Sequence, residues 1–443
     1  MTGANFVFET DQSKVLIDCG MIQGEKFALE ENGRAFFYDV STINALLITH
    51  AHLDHVGRIP KLVKEGYVGP IYSTPETREL AELILNDAVG IIAMEARQNG
   101  GVPMYDMDDV QAVFPLWKVI PYHEEAKITE DISVFLKDAG HILGSAMIEI
   151  RTGGQGAPLK VLFTGDVGNS PAPLLRDTEV VGDVDYMITE SVYGDRNHEP
   201  KDMRTEQFQK IINETINRGG TLVIPAFSID RTQVLLYELN NLVEQKKIPS
   251  VPVFVDSPMA IKATQVYQAS TGLFNVAVRR QIKNGDKIFD FPHLQFTVSQ
   301  MESRDISRLQ GPKIILAGSG MSVGGRVISH EEEFLPDPKN TILFVGYQTN
   351  GSLGRLLADG AKKVEIHGRT IKVKAKIEAI YGYSAHKDSD HLVEFVASAS
   401  DRLKKVFVVM GEPKGSMHLA QRINDELGKK AIVPEREVVY ELE

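Results

Sequence analysis

Three short apolar runs in this 443-residue chain each stop at a residue able to bind a cation. Residues 44–49 (NALLIT) run into His50, residues 160–164 stop at Gly165-Asp166, and residues 186–189 stop at Glu190. Continuous apolar runs of this length read as strands buried on both faces, and such strands belong to helix-covered sheets. The rest of the chain follows suit. Pro75–Gln98 has helical periodicity, with Thr74 as cap, Pro75 in the first position, and Leu80, Leu83, Ile84, Ile91 and Ile92 on one side. From about Ser191, strand–helix units repeat: Thr221–Pro225 then a helix over 230–245, and a strand over 251–255 then a helix over 259–269. Lys313–Ala317 and residues 341–345 read as further strands. Beyond them come a strand over 371–377, a helix over 388–399, a strand over 406–409 and a helix over 416–427. This alternation implies an α/β fold with a mostly parallel sheet. The length suits two or three domains. With no repeat and no low-complexity linker, the middle segment reads as an insertion into an outer domain.

The densest chemistry is Thr49-His50-Ala51-His52-Leu53-Asp54-His55, three histidines and an aspartate within six residues. Histidines two apart in an extended loop point the same way, so both rings can reach one ion. Asp54 and His55, where the chain turns into a helix, can reach a second. Imidazole and carboxylate together suit zinc, and also iron or manganese. A lone histidine would read as a core or surface residue, but four such residues at this spacing do not. Gly140-His141-Ile142-Leu143-Gly144-Ser145 and Phe163-Thr164-Gly165-Asp166 supply a further histidine and a carboxylate able to bridge two ions.

Composition narrows the class. A single cysteine, Cys19, rules out an internal disulfide framework and suits a reducing, cytoplasmic setting. No run approaches the ~20 apolar residues of a membrane span, and the start lacks a signal-peptide pattern, so no membrane contact is expected. The formal charge of −12 argues against a general polyanion binder, while leaving room for a local basic groove. One segment is basic: residues 361–376 carry Lys362, Lys363, Arg369, Lys372, Lys374 and Lys376 against Glu365 alone. It reads equally as a solvated strand edge or as a phosphate-tracking surface.

These residues resemble the metallo-β-lactamase superfamily, whose signature is H-x-H-x-D-H; Asp18 in Leu-Ile-Asp-Cys-Gly resembles its orienting aspartate. Glu190-Ser191-Val192-Tyr193-Gly194-Asp195 resembles motif A of the β-CASP branch, Tyr383-Ser384-Ala385-His386 resembles motif B, and Gly411-Glu412-Pro413 sits where motif C lies. The likeness covers essentially the whole chain and is nearest to bacterial and archaeal relatives of the polyadenylation endonuclease. It implies an αββα sandwich over 1–190 and 372–443, with an inserted β-CASP domain, a parallel sheet flanked by helices, over 191–371. It also implies one zinc ion held by His50, His52, His141 and Asp166, and a second held by Asp54, His55 and the shared Asp166. Asp18 would fix ligand orientation. The implied activity is hydrolysis of RNA phosphodiester bonds by a metal-activated hydroxide, with Asp54, Glu190 and His386 catalytic. His386 would be the general acid and Glu190 would hold its ring. Single-stranded RNA is the expected partner, and a homodimer is allowed.

Gly318 to Arg326 is glycine- and serine-rich after a strand, so its amides could meet phosphate; its glycine spacing does not fit a dinucleotide site. Ser319, Gly320, Arg326 and Arg355 are the candidate RNA-phosphate contacts. Two departures stand out. Met410 occupies the place where motif C offers a histidine, and a thioether is a poor zinc ligand, so the second ion should bind more weakly. His418 lies eight residues on, roughly 12 Å along a helix, and should not substitute. The chain also opens at Thr2-Gly3, a turn that a strand precedes in relatives, so either one edge strand is expected to be missing or the start codon to be misassigned. Two other functions compete: a catalytically weak RNA-binding scaffold of the same family, and a hydrolase of small thioesters.

Overall fold

The computed structural model describes residues 3–23, 28–98, 100–153, 158–349 and 351–443; Thr2 lies outside them. The chain divides into two units, Met1–Asn197 with His386–Glu443, and His198–Ala385.

The first unit contains two sheets. One has the order Phe6–Glu9, Lys14–Ile17, Ala45–Leu47, Ile71–Ser73, Trp117–Val119, parallel except for its first pair. The other has the order Lys430–Ile432, Lys405–Val409, Tyr186–Glu190, Lys160–Phe163, Ala146–Thr152, Ile132–Asp138, Glu125–Lys127. Its first four strands are parallel and the rest antiparallel. The sheets share one core, in which Val15, Ile17, Ala45 and Leu47 meet Val134, Ile148, Val161 and Phe407. The opposite face of the second sheet (Met147, Leu162, Met187, Val406) packs on Leu392, Val396, Leu419 and Ile423 of the helices Ser389–Ala397 and Pro413–Leu427. The helix Pro75–Gln98 touches the first sheet at Trp117–Val119, giving four layers, helix–sheet–sheet–helix. Because strand ends carry the chemistry, the register matters: Glu190 lies opposite Val409, so the residue after Val409 is delivered beside it.

The second unit is a six-stranded, all-parallel sheet in the order Leu294–Phe296, Val253–Asp256, Lys313–Ala317, Thr221–Pro225, Thr341–Phe344, Lys376–Ala379. Lys313–Ala317 and Thr221–Pro225 are buried along their whole length, as continuous apolar strands should be. A hairpin, Lys363–Ile366 with Arg369–Lys372, stands apart from that sheet.

Two local expectations change. The strand expected over 371–377 is two strands in different sheets, because Lys374 N and Ala375 N both donate to Leu335 O and turn the chain out of the hairpin. In the long helix, Thr74 Oγ1 caps Thr77 N as expected, but Ile91 is exposed. The buried stripe runs Leu80, Ile84, Ala88, Ile92, Ala96, about 100° from Ile91 at its far end. Among the described residues, no helix is long and apolar enough to cross a membrane.

Candidate metal centre

The centre is assembled by loops that leave the strands of both sheets of the first unit. Asp18 follows Lys14–Ile17 with φ 59°, a left-handed backbone that turns its carboxylate back on the neighbouring strand. Its Oδ1 accepts from Thr49 N at 2.8 Å, and its Oδ2 lies 2.8 Å from Thr49 Oγ1 and 2.7 Å from His55 Nδ1. One buried carboxylate thus fixes the start of the histidine run and the orientation of its last member. Gly165, at φ 54°, places Asp166; an added Cβ there would lie 2.7 Å from Thr49 Cβ. On the His141 loop, Ser145 Oγ accepts from His141 N and Ile142 N.

Four donor atoms converge. His50 Nε2 is 3.1 Å from His52 Nδ1, and His141 Nε2 is 3.2 Å from the same atom. Asp166 Oδ2 lies 3.4 Å from His50 Nε2 and 3.5 Å from His141 Nε2. His55 Nε2 faces the other oxygen, Asp166 Oδ1, at 3.4 Å. A second group shares Asp166: His386 Nδ1 is 3.1 and 3.2 Å from the two oxygens of Glu190 and 3.9 Å from Asp166 Oδ2. Glu190 is itself held by Val167 N at 2.7 Å, and Lys387 N donates to Val167 O, so the two strand ends grip the histidine loop between them.

The electrostatics are those of a crowded, buried site. Burial, reinforced by His50, keeps the His52 ring well below the usual histidine range. Burial with His386 does the same to His141. Both are therefore neutral, the form that binds metal. Burial also opposes charge on His55 and His386, but carboxylates win there. Asp166 and Asp18 hold His55 well above its ordinary value, and Glu190 with Asp166 raises His386 to about 9. Burial would raise the Asp166 carboxyl, yet His55 and His50 hold it well below the usual range.

Does this donor set fit a metal ion? A tetrahedral ion with ligands at about 2.0–2.1 Å keeps its donors roughly 3.3 Å apart, and the four contacts run from 3.1 to 3.5 Å. His55 Nε2 and Asp166 Oδ1 are buried and, among the described residues, have no hydrogen-bond partner. With Nδ1 committed to Asp18, Nε2 of His55 faces Asp166 Oδ1 at 3.4 Å, and the attraction that holds a proton on the ring there would equally hold a cation in its place. The residues therefore fit.

The remaining residues named from sequence fall as follows. Asp54 is buried on the first turn of Leu53–Val56; it belongs to neither group, though its charge acts on His386. Met410, at φ 59°, lines a small cavity with Asp18, His55 and Glu190, and His418 Nδ1 is engaged with Gly194 O. In the second unit, Ser319 Oγ accepts from Val323 N, and an added Cβ on Gly320 would press on Phe227. Arg326 donates to Asp256 Oδ1, Thr297 O and Val298 O, and Arg355 Nε donates to Asp359. Both guanidinium groups are thus tied within the protein. Sequence reasoning passed over Thr49, whose hydroxyl lies 3.1 Å from His50 Nδ1; its only signal was its place before the first histidine.

Comparison with known proteins agrees with this geometry. Family models match residues 3–200 (metallo-beta-lactamase superfamily), 232–357 (Beta-Casp domain) and 370–434 (Zn-dependent metallo-hydrolase RNA specificity domain). Ribonuclease TTHA0252 of Thermus thermophilus is 32% identical over 95% of this chain and 93% of its own length. The chain belongs to the β-CASP branch of the metallo-β-lactamase superfamily. Among other β-CASP relatives, an RNase J-like protein of Methanocaldococcus jannaschii is 32% identical over 97% of this chain and 94% of its own. The transcription termination factor FttA of Methanosarcina mazei is 33% identical over 95% of this chain and 67% of its own. A crystal structure of a protein of unknown function from Enterococcus faecalis shares the fold, with a TM-score of 0.54 and 12% identity over 98% and 96% of the two chains. The β-CASP assignment makes this chain a member of a family of metal-dependent hydrolases.

Proposed function

We propose that this chain is a zinc-dependent ribonuclease that hydrolyses phosphodiester bonds of single-stranded RNA. The observation that carries the reading is Asp166, whose carboxylate belongs both to the His50–His52–His141 set and to the Glu190–His386 pair. One buried oxygen pair thereby joins a metal-holding group to a proton-handling group, the combination that phosphodiester hydrolysis needs. The names of the relatives, a ribonuclease and an RNase J-like protein, favour RNA over a thioester.

His50, His52, His141 and Asp166 would hold the first ion, and Asp54 and His55 with Asp166 would hold the second. When bound, such ions would supply positive charge to the scissile phosphate and activate water near neutral pH. Asp18 keeps the His55 ring and Thr49 in place. With Nδ1 of His386 given to Glu190, the proton passes to the leaving 3′ oxygen from Nε2. Ser319 and Gly320 are assigned to a phosphate of the substrate, with Arg326 and Arg355 reaching it only by leaving Asp256 and Asp359.

Product analysis on end-labelled single-stranded RNA tests this, with added zinc, with chelator, and with Asp54→Ala. Zinc-dependent cleavage lost in the variant is expected; thioester turnover without RNA cleavage would sink the proposal. Met410 makes the second ion the weaker. Calorimetry should resolve two zinc affinities in the wild type and a tighter second site in Met410→His; equal affinities at both sites of the wild type would refute this.

A further inference from the structure

The hairpin Lys363–Ile366/Arg369–Lys372 of the second unit presents two unlike faces. Val364 and Ile366 are buried in the core cluster that contains Phe334, Leu335 and Leu357, with Ile371 and Val373 packed against it. The solvent face carries Lys363, Glu365, Thr370 and Lys372, continued by Lys374 and flanked by Lys362, all exposed. Lys363 and Lys372 stand directly opposite each other in the register. Like charges so placed repel, and strand pairs ordinarily avoid them.

In an acidic chain with a formal charge of −12, carboxylates to quench this cluster are plentiful, yet Glu365 alone shares its face and forms no ion pair with these lysines among the described residues. Glu365, the acid on the face, accepts from Thr370 Oγ1 at 2.6 Å. Glu332 is taken by His367 and Arg369, and Glu214 and Glu378 by Lys376. Among the described residues, Lys362, Lys363, Lys372 and Lys374 have no ion-pair partner. Lysines placed only to discourage edge pairing would need one charge per strand, not an opposed pair with a third two residues on. The exposed face offers no aromatic ring on which a base could stack, so it is suited to a polyanion's backbone and not to its bases.

From this opposed, unneutralised cluster we infer that the Lys362–Lys363–Lys372–Lys374 face holds the sugar–phosphate backbone of the RNA substrate without regard to sequence. The inference rests on the ribonuclease reading. Each lysine that meets a phosphate releases counterions, which gives binding a salt dependence of about 0.7 in log–log slope per contact on a single strand. A firm inner face keeps the lysines in place, so the contact carries little ordering cost for the protein.

The test is anisotropy of labelled oligouridine with chelator present, titrated between roughly 50 and 200 mM salt. Wild type is compared with a variant in which the four lysines become glutamine, and with one in which they become arginine. Zinc uptake and melting temperature serve as checks of folding. The glutamine variant should bind roughly tenfold more weakly or worse and lose about 2–3 from its salt slope, while the arginine variant retains both. An unchanged slope in the glutamine variant, with RNA still bound, overturns the inference and leaves the ribonuclease reading standing. Wild-type protein that neither binds nor cuts RNA overturns that reading first. If loss of the lysines releases a polyglutamate peptide but not RNA, the face docks an acidic protein and the inference fails.

Discussion

Both units bury an aspartate at the end of a parallel strand with a histidine against it, yet the two centres do opposite things. Asp256, after Val253–Asp256, takes hydrogen bonds from Thr297 Oγ1, Ser303 Oγ, Arg326 NH1 and His330 Nε2, at 2.5 to 2.7 Å. Burial would raise its carboxyl, but His330 and the other donors bring it down to about 2. Asp166, after Lys160–Phe163, meets ring nitrogens at 3.4 to 3.5 Å, too long for good hydrogen bonds, and its Oδ1 has no hydrogen-bond partner among the described residues. The first carboxylate is saturated by protons that the protein supplies. The second stands among ring nitrogens at distances suited to a shared cation. Burial and residue type are alike in the two; the balance of donors and acceptors separates a structural His–Asp pair from a ligand set.

Asp166→Asn should have the largest effect. It removes one oxygen from the ion-binding set and the charge shared with His386, so zinc uptake at the first site and RNA cleavage should both fall by on the order of 10³ or more, beyond the 10–100-fold typical of outer partners. Zinc uptake and RNA cleavage that survive the substitution would show that Asp166 is structural and collapse the contrast with Asp256.

Asp256→Asn should do the reverse. Arg326 would keep its charge beside a neutral group, and removing one partner of such a pair costs about 3 kcal/mol or more. Zinc affinity should not change. The acid limb carries the sign: a folded pKa of about 2, below the ordinary 3.8, gives stability that is present above about pH 4 and lost as pH falls through 2. Chemical denaturation at stepped pH should therefore show the wild type losing this increment between pH 4 and 2 and the variant staying flat by comparison. Equal slopes in the two would put the pairing energy elsewhere.

The two centres were also unequally legible. The candidate metal site could be read because His50, His52, Asp54 and His55 crowd one loop at a spacing no core requires, and because Asp166 and Glu190 end apolar runs. Asp256 and His330 lie 74 residues apart, each an unremarkable residue in its own segment, and only the sheet order Val253–Asp256 beside Lys313–Ala317 brings their elements together. The exit from the hairpin was hidden for a similar reason. The alternation of polar and apolar residues runs unbroken from Thr370 to Ala379, so period alone cannot show that the amides of Lys374 and Ala375 will leave one sheet for Leu335 O. The family motifs sharpened the metal site and said nothing about either of these tertiary contacts.

Glu331, next to His330 on Arg326–Phe334, gives the smallest effect and the finest test of the same rule. It is fully buried; Ser322 Oγ donates to its Oε1 at 2.5 Å, and its Oε2 has no partner among the described residues. Burial pushes its carboxyl up to about 7 against the single donor Ser322. A raised acid is neutral in the folded state while the unfolded chain ionises near 4.5, so folding loses stability as pH climbs from 4.5 to 7 and the full penalty remains above 7. Glu331→Gln removes the ionisation and keeps the shape. It should leave stability at pH 4 nearly unchanged and raise it at pH 8; a carboxyl moved from 4.5 to about 7 sets a ceiling of about 3 kcal/mol, which the unpartnered amide of the new Gln lowers. A variant less stable than wild type at pH 8 would mean that a charged Glu331 is held by a donor beyond Ser322. The centre around Asp256 would then be saturated at that carboxylate too.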